Sequence, residues 1–221
     1  MGYQFDFSLV VDILPVLWRG VVVTLQLWAV CLTVGLVLGF FVALARLSPF
    51  APLRIAGRAF VELFRNIPAL IQLIWFFYAF PIVIGAQLTP FVAAVLGISL
   101  NTAAFSAEIY RSGIQSMERG QWEGAMAIGM SRAATFRRVI LPQVFRRMLP
   151  AFTNRAVEVG KVTSLASVLS VQELMYQGRM LSSTYYRPLE ILTTVGLVYL
   201  VMIFPLSWFS ASMERRMRRR A

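Results

Sequence analysis

From Val21 to Ala45 the chain runs without a single charged residue, and Arg46 ends the run. A helix that crosses a bilayer needs about 20 mostly apolar residues, so this stretch alone predicts a membrane protein. Further apolar runs cover about Pro68 to Ile84, Pro90 to Ile109 with Glu108 near its end, and Leu189 to Phe209 before Glu214. A weaker one, Val157 to Leu174, is crossed by Glu158, Lys161 and several Ser and Thr. Composition agrees: 58% of residues are hydrophobic and 14% charged, against about 45–50% and 25% in soluble domains. The N-terminus carries Asp6 and Asp12 rather than a basic run, and the apolar stretch behind it is too long for a cleaved signal peptide. The expectation is an all-α integral membrane protein, residues 1–221 forming one domain. Its five spans are placed at about 15–46, 53–84, 90–110, 145–174 and 188–213. The second starts as an amphipathic stretch with Arg54, Arg58, Glu62 and Arg65.

Basic residues orient the spans. Lys+Arg number 21 against 10 Asp+Glu. With five spans, eighteen of the 21 fall on one side: in 46–65, in 111–161 and in the tail Arg215, Arg216, Arg218, Arg219, Arg220. The positive-inside rule makes that side cytoplasmic and puts the N-terminus outside. In an apolar chain such a charge excess points to anionic lipid rather than to nucleic acid. The fourth span is needed for this bookkeeping, because without it the basic loop and the basic tail would face opposite compartments.

Several chemistries are excluded. Cys31 is the only cysteine and there is no histidine, so no internal disulfide, cysteine metal site or imidazole base is available. No G-x-x-x-x-G-K-[ST] phosphate loop occurs.

The segment 111–156 is the longest polar stretch. Trp122, Ala125, Met126, Gly129 and Met130 recur at helical spacing. Gly129 followed by Ser131 reads as a helix stop and a new N-cap. Phe136, Val139 and Ile140 form a second stripe beside Arg137 and Arg138, and Pro142 is expected to break that helix. Two short helices with an apolar ridge and arginine flanks fit a docking surface, or equally a helix lying on lipid.

These residues also resemble a family. Glu123-Gly124-Ala125, Gly129, and Ile140-Leu141-Pro142-Gln143 are similar to the E-A-A signature of ABC importer permeases, with Gly124 in place of the middle alanine. Phe64-Arg65-Asn66-Ile67-Pro68-Ala69-Leu70-Ile71-Gln72-Leu73 resembles the F-R-G-T-P-L-L-V-Q-L segment of the histidine/glutamine/glutamate/arginine/opine group of polar amino-acid permeases. Asn101 to Ile114 resembles that group's A-A-Y-x-x-E-x-x-R-G-G-I segment, and Lys161-Val162-Thr163-Ser164-Leu165 its K-D-T-S-L. The resemblance covers residues 15–213. It implies the type I ABC importer permease fold in a bacterial inner membrane, N-terminus outside, with a cytoplasmic coupling loop at about 111–143. It also implies partners: a cytoplasmic ATPase dimer that binds ATP and Mg, a second identical or homologous permease, and an external amino-acid-binding protein. No cofactor is expected in this chain and no enzymatic activity of its own.

The resemblance assigns coupling to Glu123, Gly124, Ala125, Gly129, Arg137, Leu141 and Pro142, while Arg138, Arg146 and Arg147 equally suit lipid phosphate. Gln72, Asn101, Glu158, Lys161, Thr163 and Ser164 are candidates for a substrate pathway, because ionisable or polar groups inside a span are costly unless used. Glu158 and Lys161 are three apart and are expected to pair. Gln72 and Asn101 suit helix–helix hydrogen bonding as well, and Glu108 is expected to pair with Arg111. Val162 in place of the K-D-T-S-L aspartate argues against a purely basic substrate, unless Glu158 compensates. Trp18, Trp28, Trp75 and Trp208 read as lipid-facing belts, and Gly35 and Gly39 as a G-x-x-x-G helix contact. An ion-gradient-driven secondary transporter and a non-transporting assembly subunit are the alternatives.

Overall fold

The structure, a computed structural model, describes residues 8–218. Asp6, Arg219 and Arg220 of the charge reading lie outside the described residues. The described chain is helical. Helix α1 spans Ser8–Leu47 and α2 spans Ala51–Asn66. Helix α3 covers Ala69–Ile84, α4 Pro90–Gln115 and α5 Arg119–Ala127. Helix α6 runs through 132–162, followed by a 3-10 segment, Thr163–Leu169. Helices α7, Leu174–Tyr185, and α8, Pro188–Arg218, complete the order.

By length and composition, α1, α4 and α8 can each cross a membrane, and α2 with α3 makes a fourth if that bent pair is one span. Five apolar spans are therefore not what the described helices provide. Helix α6 falls short because it carries Arg146, Arg147, Arg155 and Lys161. Its buried side chains, Val144, Met148, Val157 and Val159 among them, sit between neighbouring helices. A helix shielded by protein need not be apolar all round.

Helix α1 begins at Ser8, well before residue 15, and continues through Pro15. Its 40 residues extend about 60 Å at 1.5 Å per residue. One seam is buried at steps of three and four: Leu17, Gly20, Thr24, Leu27, Cys31, Gly35, Gly39 and Ala43. Side chains along it shrink toward Leu47, which draws α4 in. A Cβ on Gly35 would stand 2.5 Å from Thr102 Cβ, and one on Gly39 would stand 2.8 Å from the Ala103 carbonyl. The G-x-x-x-G pattern is thus a helix contact. The opposite face shows Val22, Val37 and Phe41 outward. Trp18, Trp75 and Trp208 also point outward. Trp28 does not: its Nε1 donates to the Ala156 carbonyl at 2.8 Å, and its ring covers Gly160.

The second span is broken. Helices α2 and α3 meet at 105° across Ile67–Pro68. The residue before a proline is pushed to extended backbone, and Ile67 has φ −88°, ψ 129°. Helix α2 is strongly amphipathic, with only Gly57 and Val61 buried, and lies across the bundle end where Gly57 meets Arg46.

Two helices contain a wide π turn, Trp75–Ala79 in α3 and Phe136–Ile140 in α6. Phe80 N–H donates to Trp75 and Leu141 N–H to Phe136, five residues back. Pro81 and Pro142 follow immediately. A proline lacks the N–H and its ring presses on the carbonyl four residues earlier. Widening the turn relieves that pressure. Pro142 therefore does not break the helix: α turn Arg132–Thr135, π turn and Leu141–Val162 are continuous.

The fourth predicted span also ends early, at Leu169 rather than residue 174. Ser170 takes the left-handed conformation, φ 64°. Its N–H donates to Ser167 and that of Val171 to Ala166, the Schellman pattern. Buried Glu173 then caps α7, accepting from the Met175 and Tyr176 N–H groups at 2.9 and 2.7 Å and from the Tyr199 hydroxyl at 2.6 Å.

Candidate functional site: a cationic cavity beside a helix break

Breaking α2 at Ile67 leaves carbonyls without helical partners. Gln72 of α3 donates from Nε2 to the Phe64 and Ile67 carbonyls at 2.9 and 2.7 Å. Asn101 of α4 donates from Nδ2 to the same Phe64 carbonyl at 2.8 Å. Both side chains are buried, so the cost of burying them is offset by these bonds.

Asn101 also accepts. Its Oδ1 takes a hydrogen bond from Arg155 at 2.8 Å, and Thr102 Oγ1 takes another at 3.1 Å. Arg155 is 5% exposed. Its remaining arm bonds Glu158 Oε2 at 3.1 Å, and its guanidinium lies 4.4 Å from the Phe105 ring centroid. Arg65 stands over the same ring at 5.1 Å. A continuous polar chain thus ties α2, α3, α4 and α6 together.

This chain borders two cavities. One, of about 490 Å³, is lined by Arg65, Asn66, Asn101, Phe105, Arg155, Glu158, Lys161 and Val162 with the Ile67–Ala69 turn. The other, of about 300 Å³, lies toward Glu108, Ser112 and Asn154. Arg65, Phe105, Arg155 and Glu158 line both.

Of the six pathway candidates, Asn101, Glu158 and Lys161 meet at the larger cavity. Gln72 faces a separate apolar pocket behind the break, beside Phe64, Ile71 and Trp75. Thr163 and Ser164 line neither cavity; their hydroxyls bond the Gly160 and Lys161 carbonyls at 2.8 and 2.7 Å. Glu158 pairs with Arg155, one turn on the other side, rather than with Lys161. Geometry decides between them, since Arg155 is already fixed by Asn101 and Thr102. Sequence reasoning treated Arg65 and Arg155 as topology charges and passed over Phe105. The i, i+3 spacing from Arg155 to Glu158 was the available signal.

Below, Glu108 accepts from both Arg46 and Arg111 and joins the ends of α1 and α4. The loop beyond holds α5. Ala125 is buried, and Trp122 stacks on Phe136 at 6.3 Å and joins a cluster with Met117, Ile140, Val144 and Met148. Gly129 closes α5 at φ 86°, its N–H donating to Met126 and that of Met130 to Ala125. Ser131 Oγ then accepts from Ala134 N–H as the next N-cap. Glu123, Gly124, Gly129, Arg137, Leu141 and Pro142 are exposed. Met126 and Ile128 are exposed as well, Ile128 at 79%. Ala125 is thus an inward anchor, and the outward ridge comes from its neighbours.

Comparison with known proteins gives a consistent outcome. The chain is 36% identical to the glutamine transport system permease protein GlnP of Escherichia coli over 97% of its length and 99% of the relative. It is 30% identical to the arginine transport system permease protein ArtQ of Bacillus subtilis, covering 97% and 98%. It is 34% identical to the glutamate/aspartate import permease protein GltK of Escherichia coli, covering 97% and 99%. Among solved structures, one described as an amino acid ABC transporter with histidines superposes with a TM-score of 0.89 at 32% identity, covering 97% of this chain and all of that one. The family model described as binding-protein-dependent transport system inner membrane component matches residues 35–219, and the chain belongs to that family.

Proposed function

We propose that this chain is the permease subunit of an ATP-driven importer of amino acids. The carrying observation is that relatives covered almost end to end, and the solved transporter that superposes on this chain, are all named for amino acids. Their named substrates differ in charge, so the shared chemistry is the zwitterionic head group. The chain carries no phosphate-binding loop, so a separate ATPase supplies the hydrolysis. In this reading α1, the bent α2–α3 pair, α4, α6 and α8 cross the membrane five times, the N-terminus outside and the basic loop and tail in the cytoplasm. The arginine distribution supports that orientation.

The exposed ridge at Glu123, Gly124, Gly129, Arg137, Leu141 and Pro142, held from inside by Ala125, docks on the ATPase. Closure of the ATPase pulls on α5, which the Trp122 cluster fastens to α6. Helix α6 carries Arg155, Glu158 and Lys161, so the pull reaches the cavity through one rigid element. A second permease faces the cavity, and an external binding protein delivers substrate.

Proteoliposomes containing the chain with its partner permease, ATPase and binding protein are expected to accumulate amino acid only with ATP. Uptake by the chain alone on an ion gradient would overturn the reading in favour of a secondary transporter. Charge reversal at Glu123 and Arg137 is expected to abolish uptake, whereas a non-transporting assembly subunit would leave uptake unaffected.

A further inference from the structure

Three cations, Arg65, Arg155 and Lys161, line the larger cavity against one carboxylate, Glu158. Arg155 is already committed to Asn101, Thr102 and Glu158. Arg65 stands over the Phe105 ring face, and among the described residues neither Arg65 nor Lys161 has a carboxylate within ion-pair reach. Both are exposed to the cavity. Val162, next to Lys161, contributes no charge. In the importer reading α6 crosses the membrane, where a cation without a counter-charge is costly and marks a substrate path.

Resting on the importer reading above, we infer that the substrate is an amino acid with a second carboxylate. Lys161 and Arg65 take its two carboxylates, and Glu158 takes its ammonium. The count fits: two free cations meet two carboxylates. Glu158 uses Oε2 for Arg155, and its side chain is 60% exposed, which leaves Oε1 open to a donor. A basic amino acid would instead set a second cation against Lys161 and Arg65 with no carboxylate to receive it. Lys161 and Val162 are thereby the specificity-determining pair, one by its charge and the other by lacking one.

The test separates binding from delivery. Calorimetric titration of glutamate, glutamine and arginine into the permease–ATPase complex, without binding protein, reads the cavity directly. Glutamate is expected to bind about ten-fold or more tighter than arginine, the scale of one charge-assisted contact. Lys161→Gln and Val162→Asp are each expected to remove most of that preference. Val162→Asp is the second, independent variant, because it adds a charge to the cavity lining; the Val162 side chain also packs on the cluster of Leu27, Leu73 and Leu169, so the variant's Tm is read alongside its binding. Co-elution of each variant with the ATPase checks assembly. Tighter arginine binding, no saturable glutamate binding, or a glutamate preference untouched by both variants overturns the inference. ATP-driven uptake by the full complex supplies the other arm. Accumulation of glutamine or arginine without glutamate overturns the charge inference and leaves the importer reading standing, whereas no accumulation of any amino acid overturns the importer reading.

Discussion

Glycine serves opposite ends in two regions. Along the α1–α4 seam, Gly35 and Gly39 are occupied space: a methyl on either would collide with Thr102 or with the Ala103 backbone. In the α5 loop, Gly120 and Gly124 have nothing within 4 Å of where a methyl would go, and neither does Gly129. The seam glycines let two helices touch. The loop glycines leave a surface unfilled, which a partner can fill. Stability should therefore respond to the first set and coupling to the second.

The largest effect is expected at the seam. Gly39→Val must push apart backbone and side chains at a contact already at its limit, and overpacking costs about 1–3 kcal/mol or more. Thermal unfolding of detergent-purified protein should show a large fall in Tm or no recoverable monodisperse protein. A Tm matching the parent would refute the tight-seam reading. Next is Gln72→Leu, which removes the donor to the Ile67 carbonyl at the break and leaves Phe64 to Asn101 alone. A buried group left unpaired costs about 1–3 kcal/mol, to be read as a lower Tm and faster proteolysis between α2 and α3. Ser170→Gly should act with the opposite sign. It relieves a left-handed conformation that costs an L-residue about 1–2 kcal/mol, and a Tm that fails to rise would refute it. Smallest in stability is Gly124→Ala. It meets no atom of this chain and gains about 0.8–1 kcal/mol of helix propensity, so Tm should hold or rise slightly. The resembled signature carries alanine here, so substrate-stimulated ATP hydrolysis should hold as well, whereas Gly124→Trp, which fills the same open space, should lower it with little change in Tm. A Gly124→Ala variant that loses stability as Gly39→Val does would erase the distinction between the regions.

Much of this was readable along the chain. Long apolar runs announced α1, α4 and α8, since burial against lipid leaves its mark on every residue. Gly129 and Ser131 announced the end of one loop helix and the start of the next, because caps are local. The bend at Ile67–Pro68 was partly visible, the residue before proline being disfavoured in a helix, yet an amphipathic run followed by an apolar one reads equally as one long span. The cavity was less legible. Asn101 finds its acceptor on Phe64, 37 residues away, and Arg155 finds Asn101 across 54. Periodicity reports which side chains share a face of one helix and is silent about which helix comes opposite. Glu158 illustrates the limit: equal spacing in both directions offered Lys161 or Arg155, and only Asn101 and Thr102 on α4 decide between them.

The two π turns carry a mechanical consequence. Each stores one more residue in its turn than an α-helix would, and the surplus can be handed along the helix like a dislocation in a crystal. Every residue it passes swings about 100° around the axis, the angle of one α-helical step. Pro81 and Pro142 pin the surplus where it now lies. Past Pro142, one such slip in α6 would rotate Arg155, Glu158 and Lys161 together, turning the charged face of the cavity as a key turns its wards.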